Sequence, residues 1–337
     1  MGNRHVLVTG AQRSGTTWVG QTLAHLPSLA YVQEPFNVSD PNRTFGYRFN
    51  AAFYYVPGSA HEARIHAAFD CLLRSIFPPY RFAIHKCHGA GLDLKLPWRF
   101  GKYLLQGVCA PTRALIKDPF ALLSAGWLHT HFDLHVICLI RNPLAFAGSP
   151  KHANWPFDFH HLQHQHVMQA HCPTWAETIQ RFCDAPRDLI DQAYLLWNLL
   201  YTVMLRYRET YPDWLFVRHE DLARRPVLGF QEIFASLGLR MTAKTQAVIE
   251  RYTSASNPVE TASPAYRPRN ARGSLETWRT RLTAAEIARV IHSTRELAEW
   301  FYRLQGQEFV ERGPAAARVP RRLSSGGGRA LNARGAA

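Results

Sequence analysis

Apolar positions along the chain fall into short strand-like runs separated by stretches with helical spacing. Val6-Leu7-Val8 is one such run and ends in Thr9-Gly10. From Thr16 the apolar side chains recur at Trp18, Val19, Leu23 and Leu26, one face of a helix, until Pro27 stops it. Further strands are expected over 29–32, 114–116, 134–140 and 215–217, each rich in branched or aromatic residues. Helical patterns cover 119–129, 143–148, 188–209, 227–237 and 284–304. Strands that alternate with helices need crossover connections, so the expected class is α/β with a mostly parallel sheet covered on both faces. The stretches 36–107 and 157–186 are rich in Phe, Tyr, Pro and Gly without a clear period. They are expected to be binding loops or lids.

With 337 residues, 47% of them apolar, the chain can bury a sizeable core, which excludes disorder throughout. Lys and Arg exceed Asp and Glu by 14, so anionic partners are favoured. The positive charge is uneven. Residues 312–337 carry six arginines and no acid, which leaves +8 on the rest. The expected division is therefore one domain over 1–311 and a disordered Arg/Gly/Ala-rich tail over 312–337.

Six cysteines at 71, 87, 109, 138, 172 and 183 form no CxxC pair, which suits a reducing compartment. The start of the chain carries no charged-then-apolar leader. The best apolar run, 192–205, has 14 residues against the roughly 20 that a membrane span needs. These features make a cytoplasmic protein without a transmembrane segment the expectation.

The first strand feeds Gly10-Ala-Gln-Arg13-Ser14-Gly15-Thr16-Thr17, which has the Gly-x4-Gly spacing of a phosphate-cradling loop between a strand and a helix. Backbone N–H groups and the positive end of the helix converge there on an anion. A nucleoside triphosphatase places lysine after the second glycine. Here that position is Thr16, and the cation has moved to Arg13, which speaks against ATP or GTP hydrolysis.

The strong strand at 134–140 ends in Arg141-Asn142-Pro143, with Ser149 eight residues after Arg141. If Pro143 opens a helix, Ser149 can return near Arg141 after about two turns, and guanidinium and hydroxyl make a second phosphate site. Pro150 directly after Ser149 is expected to end that helix early. At the carboxyl edge of a doubly wound sheet the two anion elements can share one ligand.

Together these residues resemble the sulfotransferase family that uses 3'-phosphoadenosine 5'-phosphosulfate (PAPS). The resemblance rests on Gln12 to Trp18, on Leu139 to Pro143 with Ser149, on His219-Glu220-Asp221-Leu222 with Pro226, and on Gly273-Ser274 with Trp278-Arg279. It implies a P-loop-like three-layer fold, PAPS as sulfuryl donor, adenosine 3',5'-bisphosphate as product, and no required metal. By the same resemblance Arg13, Ser14, Gly15, Thr16, Thr17 and Trp18 hold the 5'-phosphosulfate. Arg141 and Ser149 hold the 3'-phosphate, and Arg272 and Gly273 close a late loop over the nucleotide.

Sulfuryl transfer needs a base for the acceptor hydroxyl. Glu34, 21 residues after Arg13 at the end of the second strand, is the candidate, as in carbohydrate-type and bacterial sulfotransferases. A histidine, His85 or His88, is the rival. Lys117 ends another strand and faces either the reacting group or Asp118 in an ion pair. The cluster His160, His161, His164, His166 and His171 lacks zinc-site spacing. The expected acceptor is a glycan, glycolipid or other small molecule. A nucleotide-dependent phosphotransferase and a basic nucleic-acid-binding protein are the alternatives, but no nucleic-acid module is recognisable and no stable nucleic-acid partner is expected.

Overall fold

A computed structural model describes residues 4–39, 45–74, 113–163, 165–166, 175–185, 187–260 and 268–311. The first half runs β1 (Val6–Gly10), α1 (Thr16–Leu23), β2 (Leu29–Gln33), α2 (Glu62–Arg74), β3 (Arg113–Lys117), α3 (Ala125–Phe132), β4 (His135–Ile140) and α4 (Pro143–Ala153). Then come α5 (His160–Gln163), α6 (Ala176–Asp184), α7 (Leu189–Thr210), β5 (Leu215–Arg218), α8 (His219–Arg224), α9 (Pro226–Ser236) and α10 (Ala243–Thr253). The described chain closes with α11 (Trp278–Arg281), α12 (Ala284–Ala298) and a hairpin of β6 (Tyr302–Gln305) and β7 (Glu308–Glu311).

Strands β1 to β5 form one parallel sheet in the order β2-β3-β1-β4-β5. Their side chains alternate between two cores, as the two-residue period of a strand requires. Val6 and Val8 of β1 and Ile137 and Leu139 of β4 meet α1, α8, α9 and α10 on one face. Leu7, Val136, Cys138 and Ile140 meet α3, α4, α7 and α12 on the other. The result is the α/β, three-layer architecture expected from the sequence.

Departures from the expected elements have local causes. Helix α4 runs through Pro150 to Ala153, because burial of Leu144, Ala145, Phe146 and Ala147 outweighs the single N–H that proline removes. The segment after β3 begins with a 3-10 turn at Leu122–Ser124, since the Asp118 carboxylate accepts from the N–H groups of Phe120 (2.8 Å) and Ala121 (3.3 Å). The last helix stops at Ala298 rather than 304. Phe301, Tyr302 and Phe309 then fold into the core as a hairpin turned at Gly306 (φ +60°). The stretch 36–107, read as loop, contains α2, whose Ile65, Phe69, Leu72 and Leu73 are all buried. Its Phe36, Phe45 and Phe49 are core rings, with Phe36 stacked on Phe49 at 4.2 Å. The tail from 312 lies outside the described residues.

The edge of the sheet opposite the Gly10 turn collects basic groups. Arg113 is buried and donates to the Leu237 carbonyl (3.0 Å), while Arg4 pairs with Asp133 (2.8 Å). His5 Nδ1 accepts from Ala114 N–H (2.8 Å), and His135 Nε2 is buried without a partner among the described residues. Burial, then Arg4 and Arg113, holds His135 below its ordinary pKa; burial and Arg113 do the same to His5. A histidine depressed in the folded state takes up its proton in the unfolded chain first. Stability is therefore lost as pH falls through about 6.5. Thermal melts of the wild type should show a larger drop on acidification across this range than those of His135→Phe, by about 2 °C or more. Equal drops would mean that His135 plays no part.

Candidate functional site

The turn from β1 into α1 is held against its neighbours by two glycines. A β-carbon on Gly10 (φ +143°) would stand 2.4 Å from the Leu139 carbonyl oxygen of β4. One on Gly15 (φ +95°) would stand 2.5 Å from His219 Nδ1 at the start of α8. Only glycine permits such approach with these backbone angles. Ser14 N–H closes the turn onto the Ala11 carbonyl (3.2 Å), and the first helical bond runs from Val19 N–H to Gly15 (3.1 Å). The N–H groups of Gly15, Thr16, Thr17 and Trp18 have no partner among the described residues, and no side chain caps the helix. Open N–H groups at a helix N-terminus are what an anion needs.

Arg13, at φ +64°, swings its guanidinium across the sheet edge, and Nε donates to Ser149 Oγ at 2.8 Å. This bond joins the two anion elements that the sequence suggested separately. Asn142 caps α4 by accepting from Leu144 N–H (2.9 Å), with Pro143 at the first helical position, so Ser149 comes round beside the turn. Arg141 lies beneath. Trp197 Nε1 (3.1 Å) and the Tyr201 hydroxyl (2.9 Å) both donate to its carbonyl, and its guanidinium faces Glu220 at 3.7 Å. Glu220 is buried and accepts from Asn142 N–H (3.1 Å) and the Tyr302 hydroxyl (2.9 Å). The acidic residue of the His-Glu-Asp motif thus positions the arginine.

His219, the first residue of that motif, is buried under the turn, against the Ser14 backbone. Burial, and then Arg141, hold its pKa well below the ordinary value, so the ring beneath the anion turn is neutral. Trp18 turns its indole into the core, edge-on to His219 (5.7 Å) and Phe230 (5.5 Å). Its side chain does not face the turn's mouth, and what it offers there is its backbone N–H.

The sheet order changes the expected geometry of Glu34. The β1-α1-β2 crossover skips a position, so β3 separates β2 from β1 and Lys117 stands between Glu34 and the turn. Lys117 is 1% exposed and pairs with Glu34 Oε1, not with Asp118. Glu34 Oε2 accepts from Asn37 Nδ2 at 2.7 Å. Glu34 sits at φ +45°, a left-handed conformation that costs a non-glycine residue about 1–2 kcal/mol. Its N–H donates to the Lys117 carbonyl at 2.8 Å, which holds that turn. Gly20 of α1 leaves room for the lysine: a β-carbon there would lie 2.8 Å from Lys117 Cγ. Asp118 is buried among the N–H groups of Phe36, Phe120 and Ala121; burial pushes its carboxyl up to about 7 against those bonds.

Arg272 Nη2 donates to the Arg224 carbonyl at the end of α8 (2.8 Å), and Gly273 N–H to Asn270 Oδ1 (2.8 Å). The guanidiniums that act on Arg13 are Arg269, Arg141 and Arg281, with Glu260 the opposing charge; desolvation and these like charges lower its pKa. Arg269 and Arg281 carry no motif of their own, although Arg281 lies two residues beyond the Trp278-Arg279 pair. His85, His88, His164 and His171 lie outside the described residues. Among the described ones no group of three metal-ligating side chains gathers, and no helix is long and apolar enough to cross a membrane.

The Sulfotransferase family matches residues 5–243 of this chain. Carbohydrate sulfotransferase 6 of Homo sapiens is 24% identical over 85% of this chain and 77% of its own length. Carbohydrate sulfotransferase 5 of Mus musculus is 25% identical over the same shares. Among solved structures, the sulfotransferase domain of the Synechococcus PCC 7002 olefin synthase aligns with a TM-score of 0.44 and 18% identity, covering 90% of this chain and 96% of that one. The chain belongs to the sulfotransferase family.

The closeness of the turn to α8 makes a direct prediction. Gly15→Ala must change a positive φ and push His219 aside, so it should destabilise the protein by about 2–4 kcal/mol in denaturant unfolding. A loss under about 0.5 kcal/mol would mean that the contact is loose.

Proposed function

We propose that this sulfotransferase moves a sulfuryl group from PAPS to a hydroxyl of a carbohydrate, glycolipid or other small acceptor, leaving adenosine 3',5'-bisphosphate. The observation that carries the reading is the 2.8 Å bond from Arg13 Nε to Ser149 Oγ, which joins the turn assigned here to the 5'-phosphate with the serine assigned here to the 3'-phosphate. The carbohydrate sulfotransferases among the relatives support the acceptor class.

The site suits such a ligand. Open N–H groups at Gly15 to Trp18 and the Nη atoms of Arg13 offer donors where the 5'-phosphosulfate belongs, and Arg141 with Ser149 offers them for the 3'-phosphate. PAPS, when bound, supplies a sulfuryl group activated by its anhydride link to the 5'-phosphate. In this reading Glu34 accepts the proton of the acceptor hydroxyl as the new S–O bond forms. The link to the 5'-phosphate breaks, and Arg13 and the loop N–H groups hold the charge left on the phosphate oxygen. Lys117 orients Glu34 through its ion pair and stands between it and the turn, beside the group in transfer. The phosphotransferase alternative is disfavoured by Thr16 at the position where such enzymes carry lysine.

Glu34→Gln should lower kcat by about 100-fold or more while the affinity for adenosine 3',5'-bisphosphate stays within about twofold, as loss of a base requires. Wild-type turnover in that variant would place the base elsewhere. Arg141→Ala should raise KM for PAPS by about tenfold or more, and Arg13→Ala should lower kcat as well. Steady-state kinetics with a glycan acceptor and titration with the product separate these effects.

A further inference from the structure

The site carries more arginine than the residues named so far use. Helix α11 lies directly on α4 at Gly148, where a β-carbon would stand 3.2 Å from Trp278 Cβ and 3.7 Å from Arg281 Cδ. That contact brings the Arg281 stem to the neighbour of Ser149, whose hydroxyl already receives Arg13. The Arg281 side chain is 16% exposed, and its guanidinium pairs with Glu260 Oε1. The other carboxylate oxygen meets His152 Nε2 at 3.0 Å.

Glu260 follows a stretch, 254–259, that is pinned to the late loop at two points. Asn270 N–H donates to the Pro258 carbonyl (3.0 Å), and a β-carbon on Gly273 would meet Val259 Cγ2 at 2.9 Å. Four guanidiniums, Arg13, Arg141, Arg269 and Arg281, lie within electrostatic reach at this end of α4, facing two carboxylates, Glu220 and Glu260. Glu220 is buried and committed to Asn142 and Tyr302. Glu260 is 40% exposed and holds only side chains that can move, so it is the carboxylate that an incoming anion can displace.

We propose that Arg281 is a phosphate-binding residue of this site, and that Glu260 stands in for the phosphate until the nucleotide arrives. The 3'-phosphate takes over the Arg281 guanidinium, and Glu260 retires to His152. A phosphate dianion offers more oxygens and more charge than one carboxylate, so the exchange favours the ligand. Arg281 thereby adds to the preference for a 3'-phosphorylated nucleotide. The inference rests on the reading of the site as one for such a nucleotide.

Calorimetric titration of the full chain with adenosine 3',5'-bisphosphate and with AMP tests both. Glu260→Gln should tighten the bisphosphate by about three- to fivefold, the worth of an exposed ion pair, and leave AMP unchanged. Arg281→Ala should weaken the bisphosphate by about tenfold or more, and adding Glu260→Gln in that background should change nothing further. A gain in affinity cannot come from misfolding, so the first variant stands whatever happens to the second. If the wild type binds bisphosphate no better than AMP, the nucleotide reading falls and this inference with it. If the preference is present but Glu260→Gln leaves the bisphosphate unchanged, or tightens it equally without Arg281, the inference alone is overturned.

Discussion

The site depends on how closely one turn of backbone approaches two neighbouring elements. Gly10 presses on the Leu139 carbonyl of β4 and Gly15 on the imidazole of His219, at separations that a β-carbon would close to about 2.4–2.5 Å. Because the turn lies that near to β4, the Arg13 side chain reaches Ser149 on the helix that follows it. Because β1 is the central strand, where the chain's crossovers leave to either side, this happens at the crevice where doubly wound sheets bind their ligands. A larger residue at either glycine would widen the gap and draw Arg13 away from Ser149.

The electrostatics follow from the same packing. Arg141 is kept in place by neutral or oppositely charged partners in the core: Glu220, the hydroxyl of Tyr201 and the indole of Trp197. Glu220 is itself bound to Asn142 and to Tyr302 of the closing hairpin, so the C-terminal strands bear on Arg141 although they lie far away in sequence. Under the turn the buried imidazole of His219 stays neutral, which leaves the open N–H groups and the arginines as the positive elements that a ligand meets. On the other side of the turn, the Lys117–Glu34 pair places a carboxylate at the same sheet edge.

Much of this was legible in the chain. The β1 turn, the strand ending at Arg141 and the helix opened by Pro143 carry local signals, glycine spacing, a branched apolar run and an Asn-Pro cap, that act over a few residues. Pro150 misled because propensity counts one lost N–H and not four buried apolar neighbours. Strand order was harder to read. Whether β2 lies beside β1 or beyond β3 depends on contacts 84 residues apart, and that choice decides that Lys117 separates Glu34 from the turn. The late loop shows the same limit. Arg272 hydrogen-bonds the end of α8, while the packing of α11 on Gly148 brings the stem of Arg281 beside Ser149, and neither contact is written in the local sequence. Nothing within a window of sequence tells two arginines nine residues apart which one points inward.

The proposed function requires that the β1 turn and Arg141, which follows β4, hold a single nucleotide phosphorylated at both ends of its ribose. Titration of the wild type and of Arg141→Ala with adenosine 3',5'-bisphosphate and with ATP, both without magnesium, tests it most directly. The account predicts binding of the bisphosphate in about the micromolar range, a marked preference over ATP, and a collapse of that affinity in Arg141→Ala. Preference for ATP, or bisphosphate binding that is indifferent to Arg141, would contradict it.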